Sequence, residues 1–432
     1  MERLRFSEAG FFGRLESFIT AKNTSTEVTA SVAEILAAVK AEGDAAVIRY
    51  VQKFDGHSWS TSDLRLPPAS LRAAAEALPA KFRAAFEEAI ECVRSFHEKG
   101  LPRNWEGTNP HGARVGERWY PVRRVGVYVP AGSVPLVSTV VMTTTLAKLA
   151  GVAEIAVFTP AGKDGRVSEQ MLAAMHLCGV DEVYPIGGAH AVGAMAYGTA
   201  TIPAVDKIVG PGNAYVTEAQ RQVFGQVGIE LLPGPSEALA IADGSARADW
   251  LAADLLAQAE HGTGREKVYY VFSDEAQSDA VEAAIEAQLG SLKHAAAIRK
   301  VLNESTLFLQ VASLDEAIEV ANFVAPEHLE LHVAPEHFAR LEREITTAGA
   351  MLFGHETPTV LGDFTAGPSH TLPTGRTGRF FSGLKITDFF RRTSLVQYDR
   401  SSLEKAREVI SVFSALEDLD AHGRSMEIRF DS

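Results

Sequence analysis

Arg124-Val-Gly-Val-Tyr128-Val-Pro130, Glu154-Ile-Ala-Val-Phe158, Glu182-Val-Tyr-Pro-Ile186 and Lys207-Ile-Val209 are short β-rich runs, and a segment with helical pattern follows each. Alternation of this kind predicts βαβ units around a parallel sheet. A second series begins after Pro233-Gly234-Pro235. It reads as strand Ala238–Ala242, helix Trp250–Glu260, strand Lys267–Phe272, helix Glu275–Gly290, strand Leu307–Val311, helix Asp315–Val324 and strand Ala350–Phe353. The expected fold is therefore α/β, with two Rossmann-like parallel-sheet lobes joined near residue 235. Upstream, Ser31–Phe54 and Ser70–Lys99 carry apolar positions at helical spacing and predict N-terminal helices. Downstream of Leu384 a helix is expected over Ser402–Leu416, followed by a short polar tail. No fixed-period repeat and no low-complexity tract interrupts this pattern.

The bulk composition fits that reading. At 432 residues the chain is long enough for two or three domains, and 46% apolar with 22% charged residues is an ordinary globular balance. A formal net charge of −14 argues against nucleic acid or anionic membrane as partners. The two cysteines, Cys92 and Cys178, are far apart and have no metal-type spacing, so a reducing cytosol is the expected compartment. The opening Met-Glu-Arg-Leu-Arg lacks a basic region followed by an apolar run, and no signal peptide is expected. Val134–Phe158, the most apolar stretch, contains Lys148 and Glu154 and reads as buried helix and strand.

Both lobes lack a G-x-G-x-x-G or G-x-x-x-x-G-K-[ST] fingerprint. Gly187-Gly188-Ala189-His190 and Gly210-Pro211-Gly212-Asn213 instead follow predicted strands, where they either cradle a phosphate at a helix N-terminus or simply turn the chain. Gln258 and His261, three apart, share the closing turn of a helix that Gly262 and Gly264 then end. An amide oxygen and an imidazole there form half of a metal site, or the histidine is a C-cap. Pro326-Glu327-His328 projects an acid and an imidazole from a helix break, which suits proton transfer but also describes a solvated turn. Its near-copy Pro335-Glu336-His337 reads as part of an amphipathic helix. Gly362-Asp363-Phe364-Thr365-Ala366-Gly367-Pro368-Ser369-His370 is a glycine-rich loop bearing a carboxylate and an imidazole. Glu417 and His422, five apart near the C-terminus, read as a surface pair. Nitrogen and oxygen donors with no thiolate suit Zn²⁺ well and Mn²⁺ tolerably, but composition cannot select four ligands from thirteen histidines and many carboxylates.

Taken in order, RVGVYVPAG (124–132), GGAHAVGAMAYGT (187–199), VDKIVGPGNAYV (205–216), GPSEALAIAD (234–243), DLLAQAEHG (254–262), APEHLEL (325–331), LGDFTAGPSHTLPT (361–374) and ALEDLDAHGRS (415–425) resemble the histidinol dehydrogenase family. The match runs collinearly from about residue 120 to the end, and the N-terminal helices fit it less specifically. The resemblance implies Gln258, His261, Asp363 and His422 as ligands of one zinc ion per subunit. It implies Glu327 and His328 as the catalytic acid/base pair. Ser236, His370 and Glu417 would hold the substrate together with the metal ligands and His328. Tyr128, His190 and Asn213 fall where the family contacts NAD⁺.

The implied reaction is oxidation of L-histidinol through the aldehyde to L-histidine with two NAD⁺, the last steps of histidine biosynthesis. The implied assembly is a homodimer in which a small helical C-terminal segment is swapped, so that Glu417 and His422 serve the neighbouring subunit. The corresponding division is an N-terminal arm (1–24), a metal and substrate domain (25–125 with 236–383), an NAD domain (126–235) and a dimerisation segment (384–432). The chain departs from the family at His190, where glutamine is usual, and at Ala131–Gly132, where a glycine pair is usual. Rival readings are a related zinc- and NAD-dependent dehydrogenase of another small diol such as a sulfopropanediol, a metal-dependent hydrolase, and a non-enzymatic binding protein. Glu417 and His370 favour histidinol over the first.

Overall fold

The computed structural model describes residues 1–20, 26–130, 135–261 and 264–431. In chain order its strands are β1 (Glu2–Arg5), β2 (Trp105–Thr108), β3 (Arg114–Pro121), β4 (Arg124–Tyr128), β5 (Glu154–Phe158), β6 (Glu182–Tyr184) and β7 (Lys207–Val209). They continue as β8 (Gly228–Ile229), β9 (Glu237–Ala242), β10 (Lys267–Phe272), β11 (Thr306–Gln310), β12 (His328–His332), β13 (Ala350–Phe353) and β14 (Phe390–Gln397).

Two parallel sheets organise the molecule. One has the order β6-β5-β4-β7-β8, the other β1-β11-β10-β9-β12-β13. Leaving out β1, both run third-second-first-fourth-fifth in their own series, the doubly wound arrangement in which strand order reverses beside the first strand. In the five-stranded sheet the reversal lies between β4 and β7. Those strands approach so closely that a Cβ on Gly210 (φ +105°) would collide with the carbonyl oxygen of Tyr128. Glycine is required there by both backbone conformation and space.

Side-chain alternation divides each sheet between two cores. Val125, Val127 and Val129 face the helices Val137–Leu149 and Glu169–Leu177, whereas Tyr128, Ala156 and Phe158 face Gly188–Tyr197 and Ala214–Val223. In the six-stranded sheet, Leu239, Ile241, Leu329 and Leu331 share a core with the helices Phe11–Ile19 and Leu314–Val324. Ala240, Tyr270 and Phe272 face the helices Ala248–Ala259 and Glu275–Leu289 on the other side.

Several expectations are corrected. The expected helix over Ser31–Phe54 is two, Thr26–Glu42 and Asp44–Asp55, broken at Gly43 with φ +59°. Likewise Ser70–Lys99 divides at Leu78–Pro79 into Pro68–Ala77 and Ala80–Glu98, because proline cannot continue a helix already formed before it. These helices pack on the five-stranded sheet, through Ile35, Val39 and Val47 on one face and Leu71, Ala74 and Val93 on the other, rather than on the six-stranded one. The N-terminal arm begins as β1, which pairs parallel with β11. β2, β3 and β14 form an antiparallel sheet that the sequence reading lacked. Arg114, Glu117 and Arg118 on β3 and Arg391 and Arg392 on β14 keep it half-exposed and blur its apolar alternation.

Gly225 offers a control for Gly210, because its φ is +96° but nothing lies within 4 Å of a Cβ built there. Gly225→Ala is expected to lose only the backbone preference, roughly 1–2 kcal/mol. Gly210→Ala adds the collision and should cost at least about 2 kcal/mol more. Denaturant unfolding of the two variants measures the difference, and equal losses would contradict the close approach of β4 and β7.

Candidate active site

The strand β12 is buried along its whole length although three of its five residues are polar. Alternation sends Leu329 and Leu331 into one core and turns His328, Glu330 and His332 toward the opposite side. There His332 Nε2 lies 3.4 Å from Asp254 Oδ2, so this face of β12 looks onto the helix Ala248–Ala259. The same helix carries Gln258 one turn beyond Asp254. The two elements form a polar seam through an otherwise apolar interior.

At one end of the seam, Ala325 adopts the left-handed conformation (φ 49°), which stops the helix Leu314–Val324 and aims Pro326-Glu327-His328 into the interior. Glu327 is buried, and its Oε2 accepts hydrogen bonds from Ser236 Oγ (2.7 Å) and the Glu237 backbone N–H (2.8 Å). Burial pushes its carboxyl up to about 8, with nearby Glu237 and Asp363 adding to the rise and the two donors opposing it. His328 Nδ1 is 4.0 Å from the same oxygen and has no hydrogen-bond partner. Burial lowers the affinity of His328 for a proton, while Asp363 and Glu330 pull the other way. The imidazole is therefore neutral at pH 7 and able to accept a proton.

Asp363 sits in the short helix Thr359–Phe364, which contacts the Ala248–Ala259 helix. Its Oδ1 is 3.8 Å from His370 Nδ1. Burial lowers the His370 pKa, with Asp363 opposing and His328 and His261 reinforcing the fall. Gln258 is buried, and neither of its amide atoms has a hydrogen-bond partner among the described residues. His261 Nδ1 lies 3.1 Å from the Gln258 carbonyl oxygen, the contact of a C-cap, which leaves Nε2 for another partner. Gly262, expected to end this helix, lies outside the described residues. A buried amide without partners costs free energy unless something satisfies it. Together with an imidazole and a carboxylate, it is a donor set that fits zinc.

The structure thus gathers Ser236, His261, Glu327, His328, Asp363 and His370, with Gln258 adjoining through His261. Glu417 and His422 are exposed, at the C-terminal ends of Arg400–Leu416 and within Asp420–Glu427, and no hydrogen bond or ion pair joins them to this group among the described residues. The residues expected at the dinucleotide lie along the C-terminal edge of the five-stranded sheet, where Tyr128 and Asn213 are engaged internally. Tyr128 is buried and its hydroxyl oxygen accepts the Gly188 N–H (3.0 Å). Asn213 Oδ1 caps the helix Ala214–Val223 by accepting from Tyr215 and Val216 N–H. His190 is packed near the rings of Tyr50 and Phe54, pushed down to about 3 by burial, and neither ring nitrogen has a partner. Ala131 and Gly132 lie outside the described residues. Thr139, at the start of the helix after β4, brings Oγ1 to 3.4 Å from His370 Nε2. That contact sets the C-terminal edge of one sheet beside the N-terminal edge of the other.

One group was missed in the sequence reading. Asp254, Glu330 and His332 place one donor atom each within 4.8 Å of one another, a candidate metal-binding cluster. Its signal is the spacing itself: Asp254 four before Gln258, and His-Leu-Glu-Leu-His alternating along 328–332.

The family model described as histidinol dehydrogenase matches residues 19–430. A histidinol dehydrogenase of Nitrosospira multiformis is 42% identical over 433 residues, covering 100% of this chain and 97% of its own. One from Symbiobacterium thermophilum is 44% identical over 404 residues, covering 93% and 91%. The crystal structure of histidinol dehydrogenase from Elizabethkingia anophelis superposes with a TM-score of 0.93 at 30% identity, covering 100% of this chain and 98% of that one. In sequence and in architecture alike, the chain belongs to the histidinol dehydrogenase family.

Proposed function

We propose that this protein oxidises L-histidinol to L-histidine through the bound aldehyde, using two NAD⁺ and one zinc ion per subunit. The observation that carries this reading is a cluster in which burial favours the neutral form of His328 and raises the Glu327 carboxyl toward neutrality, beside a Gln258 amide without partners among the described residues. Gln258, His261, Asp363 and His422 of the partner subunit would hold the metal. Zinc bound there would fix the substrate's imidazole and amine, and NAD⁺ would accept one hydride in each oxidation.

The proton work falls to the chain's own side chains. His328 takes the alcohol proton in the first oxidation. The aldehyde then needs a water added before its carbon can lose a second hydride, and Glu327 in its ionised form takes a proton from that water. A carboxyl that titrates near neutrality can accept and release protons within one cycle. Ser236 and the Glu237 N–H fix the oxygen of Glu327 that does this, and Ser236, His370 and the partner's Glu417 also grip the substrate.

The dinucleotide lobe is assigned to residues 126–235, with the N-terminal helices packed around it. Metal and substrate belong to 236–383 and dimerisation to 384–432. Tyr128, His190 and Asn213 would shape the dinucleotide crevice, with the Gly188 turn and the helix N-termini offering backbone N–H groups. An apolar surface supports the shared dimer. Val409, Val412, Phe413, Leu416 and Leu419 are exposed on or beside the same helices as Glu417 and His422, Leu416 to 75%. No described helix is long and apolar enough to cross a membrane.

The decisive assay is NADH formation from L-histidinol, lost with a chelator and restored by zinc. Turnover of another diol but not histidinol would sink the substrate assignment. His328→Ala is expected to lower kcat by about 10²–10⁴-fold with zinc retained. His261→Ala should instead strip the metal, and equal zinc loss in both would contradict the roles. Ser236→Ala removes a donor that favours the charged form of Glu327, so its pKa rises further. The acid limb of the kcat profile should move alkaline by roughly one unit, about 1.4 kcal/mol. An unmoved limb would take Glu327 out of the rate-limiting proton transfer.

A further inference from the structure

The seam between β12 and the Ala248–Ala259 helix continues past the active site. Along the helix, Asp254 precedes Gln258 by one turn, roughly 6 Å. Along the strand, Glu330 and His332 lie two and four residues beyond His328 on the same face, about 6.6 Å and 13 Å further. The side chains therefore form two successive groups, and only the first is used in the reaction described above.

We propose that the second group, Asp254, Glu330 and His332, is a separate binding site for a divalent first-row cation such as zinc. His332 is 2% exposed, and its Nε2, which faces two carboxylates, makes no hydrogen bond of good length among the described residues. It lies 3.4 Å from Asp254 Oδ2 and 3.6 Å from Glu330 Oε2. Both separations exceed the roughly 2.7–3.2 Å of a good N–H···O bond. They match the edges of a tetrahedron about an ion with bonds of about 2.1 Å, which are about 3.4 Å long.

The surroundings orient the donors. Glu330 Oε1 accepts both the backbone N–H (2.8 Å) and the hydroxyl (2.6 Å) of Thr359, which leaves Oε2 turned toward His332. Outer hydrogen bonds of this kind commonly fix metal ligands. Charge balance points the same way, since two carboxylates and one imidazole in a buried seam are offset by one divalent ion. One imidazole and two carboxylate oxygens suit zinc, with a fourth position open to water. The Asp254 side chain is 13% exposed and offers the ion a route in.

The competing arrangement is a trio without metal, in which a protonated His332 bridges the two acids. Equilibrium dialysis of the chelator-stripped protein against zinc, with metal counted by mass spectrometry, separates the two. Wild type is expected to bind two zinc ions per chain. His332→Gln and Asp254→Asn should each bind one, as should His261→Ala, and the His261→Ala/His332→Gln double variant none. Zinc should also raise the Tm of His261→Ala but not of the double variant, a readout that stands even if His332→Gln alone folds poorly. One zinc per wild-type chain that is retained in His332→Gln, or two retained in both His332→Gln and Asp254→Asn, would overturn the proposal. Loss of zinc in His332→Gln with none lost in His261→Ala would keep it while defeating the active-site zinc assignment.

Discussion

Burying polar β12 is the constraint on which the rest of the structure depends. Charged or unpaired groups in a protein interior are costly, and a strand with His328, Glu330 and His332 on one face needs partners there. The Ala248–Ala259 helix supplies Asp254, while Leu329 and Leu331 anchor the opposite face in a large apolar core. The apolar side holds the strand in place while the polar side carries buried ionisable groups. Perturbed proton affinities at Glu327 and His328 follow from that arrangement, because burial shifts both groups toward their neutral forms.

The two sheets repeat one strand order but use opposite edges. The five-stranded sheet offers the C-terminal ends of β4 and β7, where strand order reverses and helix N-termini converge. The six-stranded sheet offers the N-terminal ends of β9 and β12, where Ser236, Glu327 and His328 meet. Thr139 beside His370 joins these edges, and Gly234 N–H bonded to Thr374 Oγ1 (2.5 Å) ties the connection between the lobes to the loop beyond His370. An acceptor at the first edge and an alcohol at the second would face one another.

Much of this was readable from residue order. The βα alternation was visible because each strand is short, apolar and bounded by turn residues, as in Glu154–Phe158. The segments around Gln258, Glu327 and Asp363 stood out because polar residues sit at helix breaks and in a glycine-rich loop. β2, β3 and β14 did not, because a half-exposed antiparallel ribbon with Arg and Glu on both strands has no clear apolar face. β1 was too short to carry a period, and its strand conformation comes from the edge of β11.

The sequence by itself determined the local elements and, through its collinear motifs, the family, since turn chemistry and apolar period are properties of neighbouring residues. Tertiary structure decided which helices cover which sheet, because that depends on distant surfaces fitting together. It also revealed that Asp254, Glu330 and His332 meet. They come from a helix and a strand more than seventy residues apart, and nothing local in either segment records the other.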